Sequence, residues 1–101
     1  MATVKENLIA AKALIDMPEK WIKGTFHAWM PSGTECFCLA GAVIEASSHD
    51  TDGLREAETI SALVGALDGF DTVIGFNDAA ATTHADIMAL FDRAIAAQDG
   101  A

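Results

Sequence analysis

Cys36-Phe37-Cys38-Leu39-Ala40-Gly41-Ala42-Val43-Ile44-Glu45-Ala46 is the stretch on which the fold turns, because it runs nine residues without a charge and shows no clean polar face. A helix that is apolar all round is a buried helix. The run from Cys36 to Ala46 is therefore expected to form the central helix. Gly41 lies between Ala40 and Ala42. A mid-helix glycine costs ~1 kcal/mol in propensity, which makes sense if another helix must approach its backbone closely.

Working outward, amphipathic segments flank this centre. Toward the N-terminus, Thr3 can cap a first helix whose Val4, Leu8, Ala11, Leu14 and Ile15 recur at helical steps, running to about Asp16. Pro18 stops it or starts a short new turn, with Trp21 and Ile22 as apolar anchors before Gly24. Thr25 to Met30 reads as a short extended stretch ending at the turn signature Pro31-Ser32-Gly33, with Thr34 to Phe37 as the nearest pairing partner. Toward the C-terminus, a polar loop from Ser47 to Gly53 precedes a stripe of Leu54, Ala57, Ile60, Leu63, Val64 and Leu67. Phe70 to Ala81 reads as an ordered loop with about one helical turn. Thr83 and Asp86 approximate a capping box ahead of Ile87, Leu90, Phe91, Ala94 and Ile95. The expected fold is mainly α, or α+β: one compact four-helix domain over residues 1–101 with at most one small β-hairpin.

At 101 residues the chain can bury one modest core without disulfide or metal staples. Its apolar stretches fall far short of the ~20 residues of a membrane span, and the opening Met1-Ala2-Thr3-Val4-Lys5-Glu6 does not read as a secretory signal. Cys36 and Cys38 are too close for an ordinary disulfide in regular structure, so reduced thiols and a cytoplasmic location are expected.

The 15 acidic and 6 basic side chains give a net charge of −9. The imbalance has a direction along the chain. Lys5, Lys12, Lys20 and Lys23 outweigh Glu6, Asp16 and Glu19 in residues 1–31, which leaves Arg55 and Arg93 as the sole cations thereafter. Direct nucleic-acid binding is not expected, since it needs clustered cations. An acidic surface suits a protein partner with a basic patch, and Asp50, Asp52, Glu56 and Glu58 are the residues expected to meet it. Self-association through exposed apolar residues is a further expectation. Solubility alone also accounts for such a charge.

Cys38 attracts a catalytic reading because a thiol at a helix start faces the positive end of the dipole, and His27, His49 or His84 could supply a base. That would make a thiol-dependent hydrolase or transferase. Against it, a free cysteine in an apolar run is usually a small buried hydrophobe. Cys-x-Cys is not the usual zinc knuckle, and the acid pairs lack the register of a calcium loop, so neither a metal nor a cofactor is expected. Asn77 and Asp78 follow a bulky Phe76 and can hold the connection before the last helix by bonding to backbone groups, or line a pocket together with Trp21. Trp21 and Trp29 suit either the core or an exposed aromatic patch.

Glu19-Lys20-Trp21 with Gly24, Gly33 before Cys36-x-Cys38-Leu39-x-Gly41-Ala42, Phe76-Asn77-Asp78, Thr83 and Arg93-Ala94-Ile95 together resemble an uncharacterised family of short bacterial and phage proteins. That family's pattern has Cys after the first Trp and Trp before Asn-Asp, where Ile22 and Phe76 stand here. The resemblance implies a phage or mobile-element setting and no activity, substrate or cofactor. The expected role is thus a non-catalytic protein-interaction module. A narrower form is a phage inhibitor whose carboxylates mimic a nucleic-acid backbone to block a host nuclease or defence complex.

Overall fold

The computed structural model describes residues 3–48 and 53–99. Among them are five α-helices and one two-stranded antiparallel sheet. The mainly helical class with a single hairpin is the one the sequence predicts. The helix beyond the four expected is short, covering Val73–Asp78, and occupies the stretch expected to be loop.

Helix α1 (Val4–Leu14) starts on the expected cap: the Thr3 side chain accepts from the Glu6 N–H, and Glu6 accepts from the Thr3 N–H. It ends at Leu14 and not near Asp16. The residue before a proline is pushed out of the helical region, and Met17 ahead of Pro18 is extended at φ −116°, ψ 141°. A 3₁₀ turn follows over Pro18–Lys20. Leu8 and Ala11 of α1, with Ile15 at its C-cap, form the buried apolar stripe.

Strands β1 (His27–Trp29) and β2 (Glu35–Phe37) pair with Ala28 opposite Cys36. Gly33 turns the chain between them at φ 89°, a left-handed conformation that suits glycine. Residues Trp21 and Ile22 lie along the other edge of β2, where the Ile22 N–H donates to the Phe37 carbonyl at 3.1 Å.

The apolar run divides where a continuous helix was expected. Cys36 and Phe37 belong to β2, and helix α2 covers only Leu39–Ala46 with Cys38 as its cap. Cys38 is still extended, and its N–H donates to the Phe26 carbonyl at 3.2 Å, so the ladder holds the chain one residue longer than periodicity suggests. A buried strand and a buried helix are both apolar throughout, which is why the pattern does not separate them. Gly41 does serve a close approach, but to the chain entering the hairpin and not to a helix. A Cβ there would lie 1.9 Å from the Phe26 carbonyl oxygen.

Helix α3 (Leu54–Ala66) buries Leu63 and Thr59, while Leu54 and Val64 of the expected stripe are exposed. Thr59 is tolerated inside because its hydroxyl donates to the Arg55 carbonyl at 2.7 Å. Helix α4 (Val73–Asp78) is capped by Thr72, whose Oγ1 accepts from the Gly75 N–H at 3.0 Å, and it drives Val73 and Phe76 into the core. Helix α5 (His84–Asp99) carries the expected Thr83–Asp86 reciprocal cap and buries Ile87, Leu90, Phe91 and Ala94. Helix α1 packs on α2, α3 and α5. Exposed ion pairs Lys5–Asp99 (2.6 Å) and Lys12–Asp92 (2.7 Å) also bridge α1 and α5.

Candidate functional site

The chemistry-bearing residues gather where the 3₁₀ turn, the entry to the hairpin, the start of α2 and the end of α4 meet. Asn77 sits at this junction with none of its surface exposed. Its Oδ1 accepts from the Trp21 indole at 2.6 Å and from the Leu39 N–H at 3.0 Å. Its Nδ2 donates to the Ile22 carbonyl at 3.1 Å and to Asp78 Oδ1 at 2.9 Å. Trp21 and the Asn77–Asp78 pair, distant in the sequence, are thus brought into one network. Its bonds to Leu39 and Ile22 supply partners to two backbone groups at the edges of α2 and β2.

Asp78 reaches the surface beside this knot. Its Oδ1 also accepts from the Gly24 N–H at 3.0 Å. The bonds from Asn77 and from Gly24 hold the Asp78 carboxyl below the usual carboxylate range, with Lys23 adding a smaller attraction. Lys23 itself donates to the Ala79 carbonyl at 2.6 Å and lies 5.4 Å from the centre of the Trp21 ring.

A depression of about 340 Å³ opens next to Asp78, lined by Gly24, Thr25, Phe26, Cys38 and Ile74. A second, of about 310 Å³, is lined by Phe26, His27, Phe37, Gly41, Ile44 and Glu45. Phe26 belongs to both and divides them. The residue is 51% exposed, while its backbone is fixed by the Cys38 N–H and pressed against Gly41. Each depression has apolar walls and one carboxylate, Asp78 in the first and Glu45 in the second.

Cys38 faces the helix start as expected, but with the opposite effect on its acidity. Its sulfur accepts from the Gly41 N–H at 3.3 Å and so acts as the cap of α2. Burial pushes the thiol up, Asp78 adds to that, and the Gly41 and Ala40 N–H groups offset only part of it. Neither described candidate base is hydrogen-bonded to it. His27 bonds Glu35 at 2.8 Å and stacks on Phe37 at 4.7 Å, and His84 bonds the Ile15 carbonyl at 2.7 Å. Cys36 is free and buried, donating to the Glu19 carbonyl at 3.1 Å. Among the described residues no group of three or more His, Cys, Asp and Glu is placed to hold a metal. Nor is any helix among them long and apolar enough to cross a membrane.

Of the acidic residues expected to meet a partner, Glu58 is exposed on α3 beside Arg55 at 3.4 Å, and Glu56 is half-buried on the same helix. Asp50, Asp52 and His49 lie outside the described residues. The sequence reading missed Phe26, Ile44, Glu45 and Ile74. Phe26 was visible only as one aromatic among several, and nothing in periodicity shows that Gly41 lets its carbonyl down onto α2.

A model of a family of unknown function (DUF6197) matches residues 1–97. No curated protein and no solved structure matches the chain. The motifs noted in the sequence fall within the matched span, and the chain belongs to this family of unknown function, DUF6197.

Proposed function

We propose that this protein is a non-catalytic interaction module whose acidic surface binds a basic protein partner. One observation carries the reading: every basic side chain is occupied within the molecule, whereas many acids are not. Lys5, Lys12 and Lys20 pair with Asp99, Asp92 and Asp16, and Arg55 pairs with Glu58. Lys23 and Arg93 donate to the carbonyls of Ala79 and Ala66. Among the described residues the carboxylates of Glu19, Glu45, Glu56, Asp68 and Asp71 have no such partner, so the surplus negative charge is left to the surroundings. A field of one sign accelerates encounter with a partner of the other and weakens with salt. The two free, buried thiols suit a reducing compartment, and we place the protein in the cytoplasm.

The test is capture from native host lysate, at low and high salt, by the full chain and by a variant combining Asp50→Asn, Asp52→Asn, Glu56→Gln and Glu58→Gln. A partner held at low salt, released at high salt and lost to the variant is the expected result. Unchanged capture by the variant at low salt overturns the reading.

A further inference from the structure

We propose that the paired depressions on either side of Phe26 seat a peptide segment of the partner that carries two cationic side chains with an apolar residue between them. The inference rests on the interaction reading above and adds to the acidic stretch tested there a separate contact with its own ligand chemistry. Phe26 is an aromatic anchor with an exposed ring on a backbone that cannot easily move, since its carbonyl is bonded to the Cys38 N–H and abuts Gly41. An anchor already held in place loses little freedom on binding. The apolar residue of the segment would pack on Phe26, with Ile74 on one side and Ile44 on the other.

The two carboxylates fix the charge of the occupant. Both hydrogen bonds to Asp78 use Oδ1, so Oδ2 has no partner among the described residues. The Glu45 carboxylate likewise has none there. Lys23 attracts Asp78 only weakly and forms no ion pair with it, its ammonium donating to the Ala79 carbonyl. Each depression therefore offers at least one carboxylate oxygen with no partner among the described residues, beside apolar walls, and the matching side chain is Lys or Arg, whose methylene stem covers apolar surface while its head meets the charge. Volumes of 340 and 310 Å³ lie at the low end for a small-molecule pocket and suit individual side chains. A second copy of the chain is a poor occupant, since it would bring the same net charge of −9 and the same carboxylates to the contact.

The probes are fluorescein-labelled peptides in which two arginines flank one leucine at increasing separations, with glutamate replacing arginine in the controls. Binding is read by fluorescence anisotropy and by amide shifts of ¹⁵N-labelled full-length protein. The expected result is binding of an arginine peptide with shifts at Gly24, Thr25, Gly41 and Ile74, weakened ~tenfold or more by Phe26→Ser and by Glu45→Gln. Both positions are exposed, so neither variant should unfold the protein. Asp78→Asn adds a third reading of the first depression. Absence of binding at every spacing, shifts confined to α3, or equal binding of the glutamate controls overturns the inference. Concentration-dependent dimerisation lost in Phe26→Ser would also overturn it, by naming a second copy as occupant. Salt-sensitive capture of a partner from lysate that is indifferent to Phe26→Ser and Glu45→Gln would sink this site alone, leaving the interaction reading intact.

Discussion

Trp21 and Asn77, 56 residues apart in the chain, are joined by an indole N–H donating to an amide oxygen at 2.6 Å. The same oxygen caps the Leu39 N–H, and the amide nitrogen serves Ile22 and Asp78, so a single buried side chain ties the 3₁₀ turn, α2 and α4 together. Removing it leaves a backbone donor and a backbone acceptor without their side-chain partner. Asn77→Ala should cost about 3 kcal/mol or more, and Trp21→Phe, which loses one bond, about 1–2 kcal/mol. Urea unfolding followed by circular dichroism measures both. Equal, small losses would show that the network contributes little.

Asn7 is the contrasting case. It is just as buried, on α1, but its Nδ2 has no hydrogen-bond partner. An unpaired buried donor is a liability that a leucine of similar shape removes. Asn7→Leu should leave stability unchanged or raise it by about 1 kcal/mol, the opposite sign to any change at Asn77. The same unfolding experiment decides, and a loss above ~2 kcal/mol would reveal a partner such as a bound water.

At Gly41 even one methyl group is excluded. A Cβ would sit 1.9 Å from the Phe26 carbonyl oxygen and 2.8 Å from its carbon, and both are backbone atoms that a rotamer change cannot move. Gly41→Ala should destabilise by about 2 kcal/mol or more despite its gain in helix propensity. Amide spectra should show the change concentrated in residues 25–29. Gly65→Ala, on α3 with nothing within 4 Å, is the control, and it should be neutral or mildly stabilising.

The thiols should be slow to react. Cys36 and Cys38 are both buried, and Cys38 is pushed up from its ordinary value chiefly by that burial. Iodoacetamide should label them more than about tenfold more slowly in the native protein than in denaturant. The unfolded chain loses the Cys38 proton first as pH rises. Stability from this group is therefore complete below the unfolded thiol value and declines as pH climbs from there to the folded one. Rapid native labelling of Cys38 would reinstate a nucleophilic role.

Acid acts through the carboxylates with the reverse sign. Asp78 is held low by Asn77 and Gly24, and Glu6 by the Thr3 backbone and hydroxyl, so the folded forms bind protons less readily than the unfolded chain. Their contribution is present above the unfolded carboxylate range and is lost as pH falls through the folded values. Thermal melts across that interval should show a declining melting temperature, with a shallower decline in Asp78→Asn. An identical acid limb in the variant would show that Asp78 gains nothing on folding.

Where one interaction dominates, the sequence was readable. The Thr3 and Thr83 caps, the new turn begun at Pro18, the Gly33 turn and the buried stripe of α5 are local patterns that the residues signal directly. The Cys36–Ala46 run was not, because burial on all sides erases the periodicity that separates strand from helix, and only the Phe26–Cys38 pairing settles where one ends. Asn77 and Asp78 stood out as polar residues beside a bulky one, and Trp21 as an apolar anchor suited to the core or to an exposed aromatic patch. The depressions around Phe26 had no sequence signal, since they arise from backbone packing on Gly41 and bring together residues from three separate stretches of the chain.

The knot at Asn77 also gives the molecule a built-in optical reporter. The chain has no tyrosine, so its near-ultraviolet emission comes from Trp21 and Trp29 alone. Trp21 is half-buried and hydrogen-bonded through its ring nitrogen, whereas Trp29 is 65% exposed on β1. Acrylamide should quench Trp29 first, leaving the blue-shifted light of Trp21 to record the closing of the junction as the chain folds. A Trp29→Phe protein would then carry a single intrinsic fluorophore, placed on the contact that joins residue 21 to residue 77.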